Sequence, residues 1–157
     1  MSPETVLSYI KACEDAFLFY RVKRRDLAGK KLLSVNEKYY AADHGLREAV
    51  YGKNQRDIEI VLENIVYLEM RRRGYQVTVG KIGDAEVDFV AERQGKLLYV
   101  QVAYLLASES TIEREFGALE KIGDNFPKYV VSMDEFDMSR NGIKHFNIRE
   151  FLMYAGG

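Results

Sequence analysis

The sequence predicts an α/β fold in which a central mixed sheet is flanked by helices. Residues 86–104 first alternate between polar and apolar side chains and then become almost continuously apolar, with a polar, glycine-containing turn between. This pattern is typical of two strands joined by a hairpin loop, the second of them buried on both faces. Apolar residues at helical spacing precede these strands in residues 57–73 and follow them after Ser110. Helices on both sides of a run of strands indicate a layered α/β domain.

The N-terminal third is expected to form a partial winged helix. Ser2 and Pro3 are typical of a helix start, and the apolar residues that follow at helical spacing, beginning with Val6, are expected to face a core. A strand over residues 17–22, a basic turn and a returning strand over residues 32–35 come next. These elements make up the back half of a winged helix, and the missing first half indicates a fragment of a longer protein.

A domain boundary is predicted just after Gly52. Asp43 and Gly52 are natural first and last caps of a short helix, and residues 53–55 are polar enough to form a linker. We therefore expect residues 1–52 to form the winged-helix segment with its connecting helix, and residues 53–157 to form the α/β domain.

The α/β domain is expected to alternate helices with strands. Ser110 and Glu113 predict a capping box at the start of its middle helix, and Asn147 predicts the N-cap of its last helix. The helices are expected over residues 57–73, between Ser110 and Gly123, and over 148–154. The strands are expected over residues 75–79, 86–91, 97–103, 127–132 and 143–148.

Composition excludes several classes of protein. The chain has 157 residues, a net charge of −1, one cysteine and two histidines. A single cysteine excludes an intramolecular disulfide, and so few cysteines and histidines exclude a structural zinc site. No apolar run approaches the roughly 18 residues of a membrane span, and no GxxxxGK[ST] phosphate loop occurs. We therefore expect a cytoplasmic protein with no membrane partner and no ATP site of this kind in the chain.

Three polar residues stand where buried apolar ones are expected. Glu86 and Asp88 lie in the first strand of the central hairpin, on one face by parity, and Gln101 lies in the second strand. Burying a carboxylate without a partner is costly, so these positions need an explanation. Either this face is exposed to water and the amide of Gln101 forms hydrogen bonds with backbone groups or water, or the three side chains form a functional site.

Glu63 raises the same question on the longest helix. This helix is apolar nearly all round, and Glu63 lies inside its second apolar arc, so the carboxylate is expected to point into the protein. Pairing with Arg71 or another cation explains this placement as well as a role at a metal site does.

Short motifs occur in a fixed order along the chain. They are Lys38-Tyr39-Tyr40, Asp43-His44-Gly45-Leu46, Leu62-Glu63-Asn64, Arg72-Arg73-Gly74-Tyr75, Gly80-Lys81, Glu86-Val87-Asp88-Phe89 and Pro127-Lys128-Tyr129. Over essentially the whole chain, this ordered set resembles the C-terminal region of a large group of bacterial and archaeal AAA-type ATPases. In that group a P-loop ATPase is followed by a winged helix and a domain with a restriction-endonuclease-like, or PD-(D/E)xK nuclease-like, fold. The resemblance implies this fold here, and an N-terminal ATPase domain as the partner of the chain.

The same resemblance implies a set of site residues. In PD-(D/E)xK nucleases, an acid on one strand and an acid-x-lysine motif on the next bind a divalent metal that activates water. By position, Glu63 would be the helix acid, Asp88 the first strand ligand and Gln101 the second. A bound Mg²⁺ or Mn²⁺ would then have Asp88, Glu86 and Gln101 as its ligands.

The chain departs from the family pattern at the catalytic lysine. Many relatives resemble Glu-Val-Lys where this chain has Gln101-Val102-Ala103, so the cation that stabilises charge at the phosphate is missing. Lys81 on the preceding turn and Arg114 on the following helix are the candidate replacements.

A basic cluster at the tip of the predicted wing is a second candidate site. Its members are Lys23, Arg24, Arg25, Lys30 and Lys31. Such a cluster would contact the phosphates of DNA, although a run of charges is also typical of a solvated loop.

Three functions are open from the sequence. The first is a non-catalytic C-terminal module of an ATPase, whose nuclease-like fold serves interaction or regulation. The second is a divergent metal-dependent nuclease, and the third is a DNA-binding module that does not cut. The missing lysine weighs against the second and the near-neutral charge against the third. We therefore expect the first.

Overall fold

A single mixed sheet surrounded by helices makes up the described part of the chain. The computed structural model describes residues 2–52 and 57–154. The helices are α1 (Pro3–Asp15), α2 (His44–Tyr51), α3 (Ile58–Arg72), α4 (Glu109–Glu120) and α5 (Ile148–Met153). The strands are β1 (Phe19–Asp26), β2 (Lys31–Ala41), β3 (Gln76–Ile82), β4 (Ala85–Arg93), β5 (Lys96–Val102), β6 (Lys128–Ser132) and β7 (Lys144–Asn147). Among the helices of these two segments, none is long and apolar enough to cross a membrane.

The strand order across the sheet is β2-β1-β3-β4-β5-β6-β7. β1 and β2 form an antiparallel hairpin, and β3, β4 and β5 form an antiparallel meander. β1 joins β3 in parallel, and β6 and β7 extend the other side of the sheet in parallel with β5. The α/β class with a central mixed sheet, predicted from the sequence, is confirmed.

Each face of the sheet has its own apolar core. On one face α3 and α5 pack against the strands, with Val66, Tyr67 and Phe151 fully buried. On the other face α4 contributes Phe116 and Leu119 to a second cluster. Because both faces are covered, β5 is buried along most of its length, which explains its almost continuous apolar sequence.

The β1–β2 hairpin is part of this sheet rather than of a separate winged helix. Arg24 of β1 pairs with Val79 of β3. Tyr40 of β2 stacks on Tyr67 of α3, with ring centroids 4.4 Å apart. β2 continues to Ala41, well beyond the strand predicted over residues 32–35, and Tyr40 near its end belongs to the common core. The predicted linker at residues 53–55 lies outside the described residues.

The start of the chain's first helix agrees with expectation, but the exposure of its apolar residues does not. The hydroxyl of Ser2 accepts a hydrogen bond from the N–H of Thr5, as a cap should. Of the α1 residues that the structure describes, however, none is buried, and Val6 and Tyr9 are exposed. The prediction that these apolar residues face a core is therefore wrong within the described residues.

Three of the four predicted N-caps are correct, and Ser2 is one of them. Asp43 caps α2 and Asn147 caps α5, each through its side-chain oxygen. α4 begins earlier than predicted, because the hydroxyl of Ser108 accepts the N–H of Thr111 at 3.2 Å. Ser110 is therefore inside the helix rather than its cap.

A β-bulge interrupts β4 where it pairs with β3. Thr78 is opposite Val90 and Gly80 is opposite Val87, so β4 holds one residue more than β3 between these two pairs. Val87 consequently packs in the cluster under α4, whereas Phe89 packs in the cluster under α3. The regular alternation predicted for this strand is broken at the bulge.

Gly80→Ala is expected to destabilise the fold. A Cβ at Gly80 would stand 2.8 Å from Cγ2 of Val90 and 3.0 Å from Cβ of Val87. Overpacking of a core costs about 1–3 kcal/mol, so chemical denaturation should show a loss of stability in this range.

Gly117→Ala in α4 is the matched control. A Cβ at Gly117 meets no atom within 4 Å. Alanine is favoured over glycine inside a helix by roughly 0.5–1 kcal/mol, so this variant should be more stable than the wild type. Equal effects of the two substitutions would contradict the close approach at Gly80.

Candidate functional site

β4 and β5 separate at the end of the hairpin where Asp88 and Gln101 lie. The backbone ladder between them ends at the pair of Phe89 and Val100. Beyond it, Oε1 of Gln101 accepts the N–H of Asp88 at 3.1 Å, and Oδ2 of Asp88 accepts the N–H of Val102 at 2.9 Å. These reciprocal bonds hold the separating strands together and satisfy two buried backbone donors.

The amide of Gln101 is engaged at both ends. Its Nε2 donates to Oε2 of Glu115 on α4 at 2.8 Å, and Glu115 is itself buried. Arg114 donates from Nε to the other oxygen of Glu115 at 2.7 Å. Arg114 is largely exposed and forms an ion pair with Glu115, so it is not directed at Asp88.

An ammonium group from β2 stands among three carboxylates. Nζ of Lys38 lies 2.9 Å from Oε1 of Glu63, 2.8 Å from Oε1 of Glu86 and 3.7 Å from Oδ1 of Asp88. We refer to Lys38, Glu63, Glu86 and Asp88 as the Lys38 cluster. It joins residues of β2, α3 and β4, which are far apart in the sequence.

The spacing of Lys38 and Tyr40 builds half of this cluster. The two residues alternate with Tyr39 along β2, so both face α3. The ring of Tyr40 packs in the core, and its hydroxyl donates to the same oxygen of Glu63 that Lys38 contacts. Glu63 is therefore paired with a cation, one of the two explanations considered from the sequence, and the cation is Lys38 rather than Arg71.

Arg24 of β1 adds a second cation at the edge of the cluster. Its Nη1 pairs with Oε2 of Glu86, and its Nε donates to the carbonyl of Asn36. Burial would raise the pKa of Glu86, but the hydrogen bonds from Lys38 and Arg24 outweigh this and leave the pKa below its ordinary value. Both oxygens of Glu86 are thus held by cations of the hairpin.

Burial and neighbouring charge shift the other members in opposite directions. Burial raises the pKa of Asp88 to about 8, and Glu63 adds to the rise, while Lys38 opposes it. Burial would lower the pKa of Lys38, but the attraction of Glu63 and Asp88 raises it above its ordinary value. When Asp88 carries a proton, the carboxylates of Glu63 and Glu86 are matched by the two cations Lys38 and Arg24.

The structure brings the predicted acids into one region but with an unpredicted lysine. Glu63 and Asp88 both border Lys38, and Asp88 is hydrogen-bonded to Gln101. Lys81, the predicted replacement for the catalytic lysine, is exposed on β3 opposite Glu86.

Lys38 was missed because its segment was assigned to a separate domain. The alternation of Lys38 and Tyr40 at strand spacing was the signal that could have found it.

The arrangement does not fit a divalent cation at Asp88, Glu86 and Gln101. The amide oxygen of Gln101 accepts a hydrogen bond from the backbone N–H of Asp88, and the oxygens of Glu86 face Lys38 and Arg24. Residues 2–52 and 57–154 contain no group of three Asp, Glu, His or Cys side chains that could hold a metal ion. Mg²⁺ and Mn²⁺ need clustered oxygen ligands. The metal site therefore stays a prediction, and the observed geometry weighs against it.

The basic residues of the predicted wing divide into two groups. Arg24 pairs with Glu86, and Arg25 pairs with Glu92 at 2.8 Å. The exposed basic residues are Lys23, Lys30 and Lys31. Contact with DNA stays a prediction, and these lysines are better placed for it than the two arginines.

A buried Ser–His pair lies between β6 and β7. Oγ of Ser132 is 2.9 Å from Nε2 of His145 and donates to Oδ2 of Asp134 at 2.7 Å. The N–H of Met138 donates to Nδ1 of His145 at 3.2 Å, so the proton of the neutral ring is on Nε2 and directed at Ser132. A serine nucleophile needs an unprotonated Nε2, so this network is structural.

Two curated relatives match the chain. An uncharacterised protein of Haemophilus influenzae is 38% identical over 153 residues, which are 97% of this chain and 38% of that protein. An uncharacterised protein of Methanocaldococcus jannaschii is 32% identical over 125 residues, which are 77% of this chain and 27% of that protein. The chain thus spans less than two fifths of the length of these relatives. No family model and no solved structure matches it.

Replacing Asp88 is expected to weaken the join between β4 and β5. Asp88→Ala leaves the buried N–H of Val102 without its acceptor, which costs about 1–3 kcal/mol. Asp88→Asn retains an oxygen for this donor and should cost less. Chemical denaturation of both variants measures the difference, and equal losses would show that the hydrogen bond to Val102 does not stabilise the fold.

Acid is expected to destabilise the protein through His145. Burial lowers the pKa of His145 below its ordinary value of 6.5, although Asp134, Asp137 and Glu150 attract a proton. The unfolded chain therefore binds this proton more readily than the folded one. The contribution is complete above about pH 6.5 and is lost as the pH falls through the folded pKa. Denaturation across this range should show a weaker pH dependence in His145→Gln, and an unchanged dependence would exclude His145 as its source.

Proposed function

We propose that this chain is the non-catalytic C-terminal module of an AAA-type ATPase, with a degenerate PD-(D/E)xK nuclease-like fold that serves interaction or regulation. One observation carries the proposal. The cation among the candidate catalytic acids is the chain's own Lys38, which contacts Glu63 and Glu86 directly. The site is occupied by internal ion pairs and hydrogen bonds, which leaves few oxygens for a metal or a substrate.

The placement of the acids supports the nuclease-like fold. Asp88 and Gln101 lie on neighbouring central strands, at the end where these strands separate, and Glu63 comes from the helix packed over one face. This is the relation between a first strand acid, a second strand ligand and a helix acid that the resemblance implied. The mixed sheet with helices on both faces fits the same fold.

The environment of Ala103 supports the loss of catalysis. The family pattern has a lysine at this position, directed at the phosphate. Ala103 is buried in the cluster under α4, together with Tyr99, Leu106 and Phe116. A methyl group in an apolar cluster supplies no positive charge to a phosphodiester, and the amide of Gln101 beside it is engaged with Asp88 and Glu115.

The ATPase association is supported by length and by an apolar surface. The matched relatives are more than twice as long as the aligned segment, which leaves room for an ATPase domain in them. Large apolar side chains of the N-terminal segment, Leu7, Tyr9 and Phe17, are more than half exposed in this chain. Apolar surface of this kind is typical of a region that contacts another domain.

Plasmid cleavage with Mg²⁺ or Mn²⁺ tests the proposal. Wild type and Asp88→Asn, purified in parallel, are expected to give the same background rate, because the proposed module has no hydrolytic site. Asp88→Asn is the matched control, since it removes the carboxylate while keeping the hydrogen-bond acceptor for Val102.

Two outcomes would contradict the proposal and point to the alternatives. Metal-dependent cleavage by the wild type that is lost in Asp88→Asn would identify a divergent nuclease. DNA binding without cleavage, weakened by salt and by replacing Lys23, Lys30 and Lys31 with glutamate, would identify a DNA-binding module.

A further inference from the structure

Three carboxylate oxygens from separate residues converge on one ammonium. They are Oε1 of Glu63, Oε1 of Glu86 and Oδ1 of Asp88, at 2.9, 2.8 and 3.7 Å from Nζ of Lys38. A protonated lysine has three N–H donors and no acceptor. Its Nζ is within hydrogen-bonding distance of Glu63 and Glu86, and Asp88 stands at ion-pair distance. The ammonium therefore stands where the ligand oxygens of a cation site would meet.

We propose that Lys38 is the built-in cation of this site, replacing the divalent metal of a nuclease-like centre and fastening the β1–β2 hairpin to the α/β sheet. The inference rests on the proposed function, because the nuclease-like fold proposed there is the reason to look for a divalent metal among these acids. It adds a role for Lys38, which is not one of the catalytic positions that the resemblance implies.

Burial makes the cation necessary. Asp88 is 8% exposed, and Glu63 and Glu86 are only partly accessible to water. Carboxylates brought this close in a poorly hydrated region repel one another unless a positive charge lies between them. Lys38 is supplied by β2, which reaches α3 only because the hairpin is the outer part of the same sheet.

The same geometry excludes a second cation while Lys38 is present. A divalent ion at the meeting point of the three oxygens would lie against the ammonium, and their repulsion would oppose its binding. In the wild-type arrangement Glu63, Glu86 and Asp88, which all lie in the described part of the chain, do not form a metal site. Removing the ammonium leaves Arg24 as the remaining cation, at the outer oxygen of Glu86, and allows the three acids to close around a divalent ion. Divalent cations should then stabilise the folded state, because they bind it more tightly than the unfolded chain.

Thermal unfolding with and without millimolar MnCl₂ tests this role at neutral pH. The midpoint of the wild type is expected not to respond to Mn²⁺. Lys38→Met should unfold at a lower temperature in metal-free buffer and regain several degrees when Mn²⁺ is added. The response should disappear in Lys38→Met/Asp88→Asn, because Mn²⁺ can displace the proton of the Asp88 carboxyl group but cannot make an anionic ligand of the amide that replaces it.

Lys81→Met is the matched control. Lys81 is an exposed lysine on the adjacent strand β3, so its loss should change neither the midpoint nor the response to Mn²⁺. A similar response in Lys81→Met would mean that general surface charge explains the effect, and the proposal would be wrong. An Mn²⁺ response in the wild type that is lost in Asp88→Asn would also overturn it.

A further double variant addresses the case in which Lys38→Met does not fold. Lys38→Met/Glu63→Gln removes the ammonium together with a carboxylate that it contacts and keeps an oxygen for the hydroxyl of Tyr40. Recovery of a folded protein would support the neutralising role, and failure to recover would overturn it. Paramagnetic broadening by Mn²⁺ of the Val102 amide signal in the wild type would overturn it as well.

The two proposals fail separately. Cleavage of DNA that depends on Asp88 would end the proposed non-catalytic function. An inert wild type whose Lys38→Met variant does not respond to Mn²⁺ would leave that function in place and remove only the role of Lys38.

Discussion

Neutralising the buried carboxylates is the constraint on which this structure depends. Glu63 on α3 and Glu86 and Asp88 on β4 meet under partial burial, and Lys38 of β2 supplies the charge between them. Removing one partner of a buried ion pair is far more damaging than replacing the whole pair, because the remaining charge is left without compensation. The hairpin and the main domain are therefore linked by an interaction that neither can satisfy alone.

Irregular backbone around Asp88 makes this meeting possible. In a regular strand, Val87 and Phe89 would lie on the same face of the sheet. The bulge in β4 places them on opposite faces. On its other side β4 loses its ladder with β5, and side chains of Asp88 and Gln101 replace the missing backbone bonds. Bulges re-aim side chains in this way, and they are over-represented near functional sites.

Local patterns were sufficient for the class of fold and for the acids, but not for their partner. The almost continuous apolar run of β5, the apolar surface of α3 and the caps at Asp43 and Asn147 depend on nearby residues and could be predicted. The alternation of Lys38 and Tyr40 could have shown that both lie on one face of a strand. It does not show that this face meets the acids, because that depends on a parallel pairing of β1 with β3 that leaves no local trace. The exposure of α1 was missed for a related reason: its spacing shows an apolar side but not what covers that side.

The position of the hairpin also has a consequence for how the chain acquires its structure. β1 and β2 are made before the rest of the sheet and can pair with each other at once, but β1 must wait for β3, which follows two further helices. Contacts between segments distant in sequence require loop closure first and form slowly. Until then, one side of β1 exposes unpaired backbone groups, so the nascent protein passes through an interval in which this strand is open to pairing with other chains.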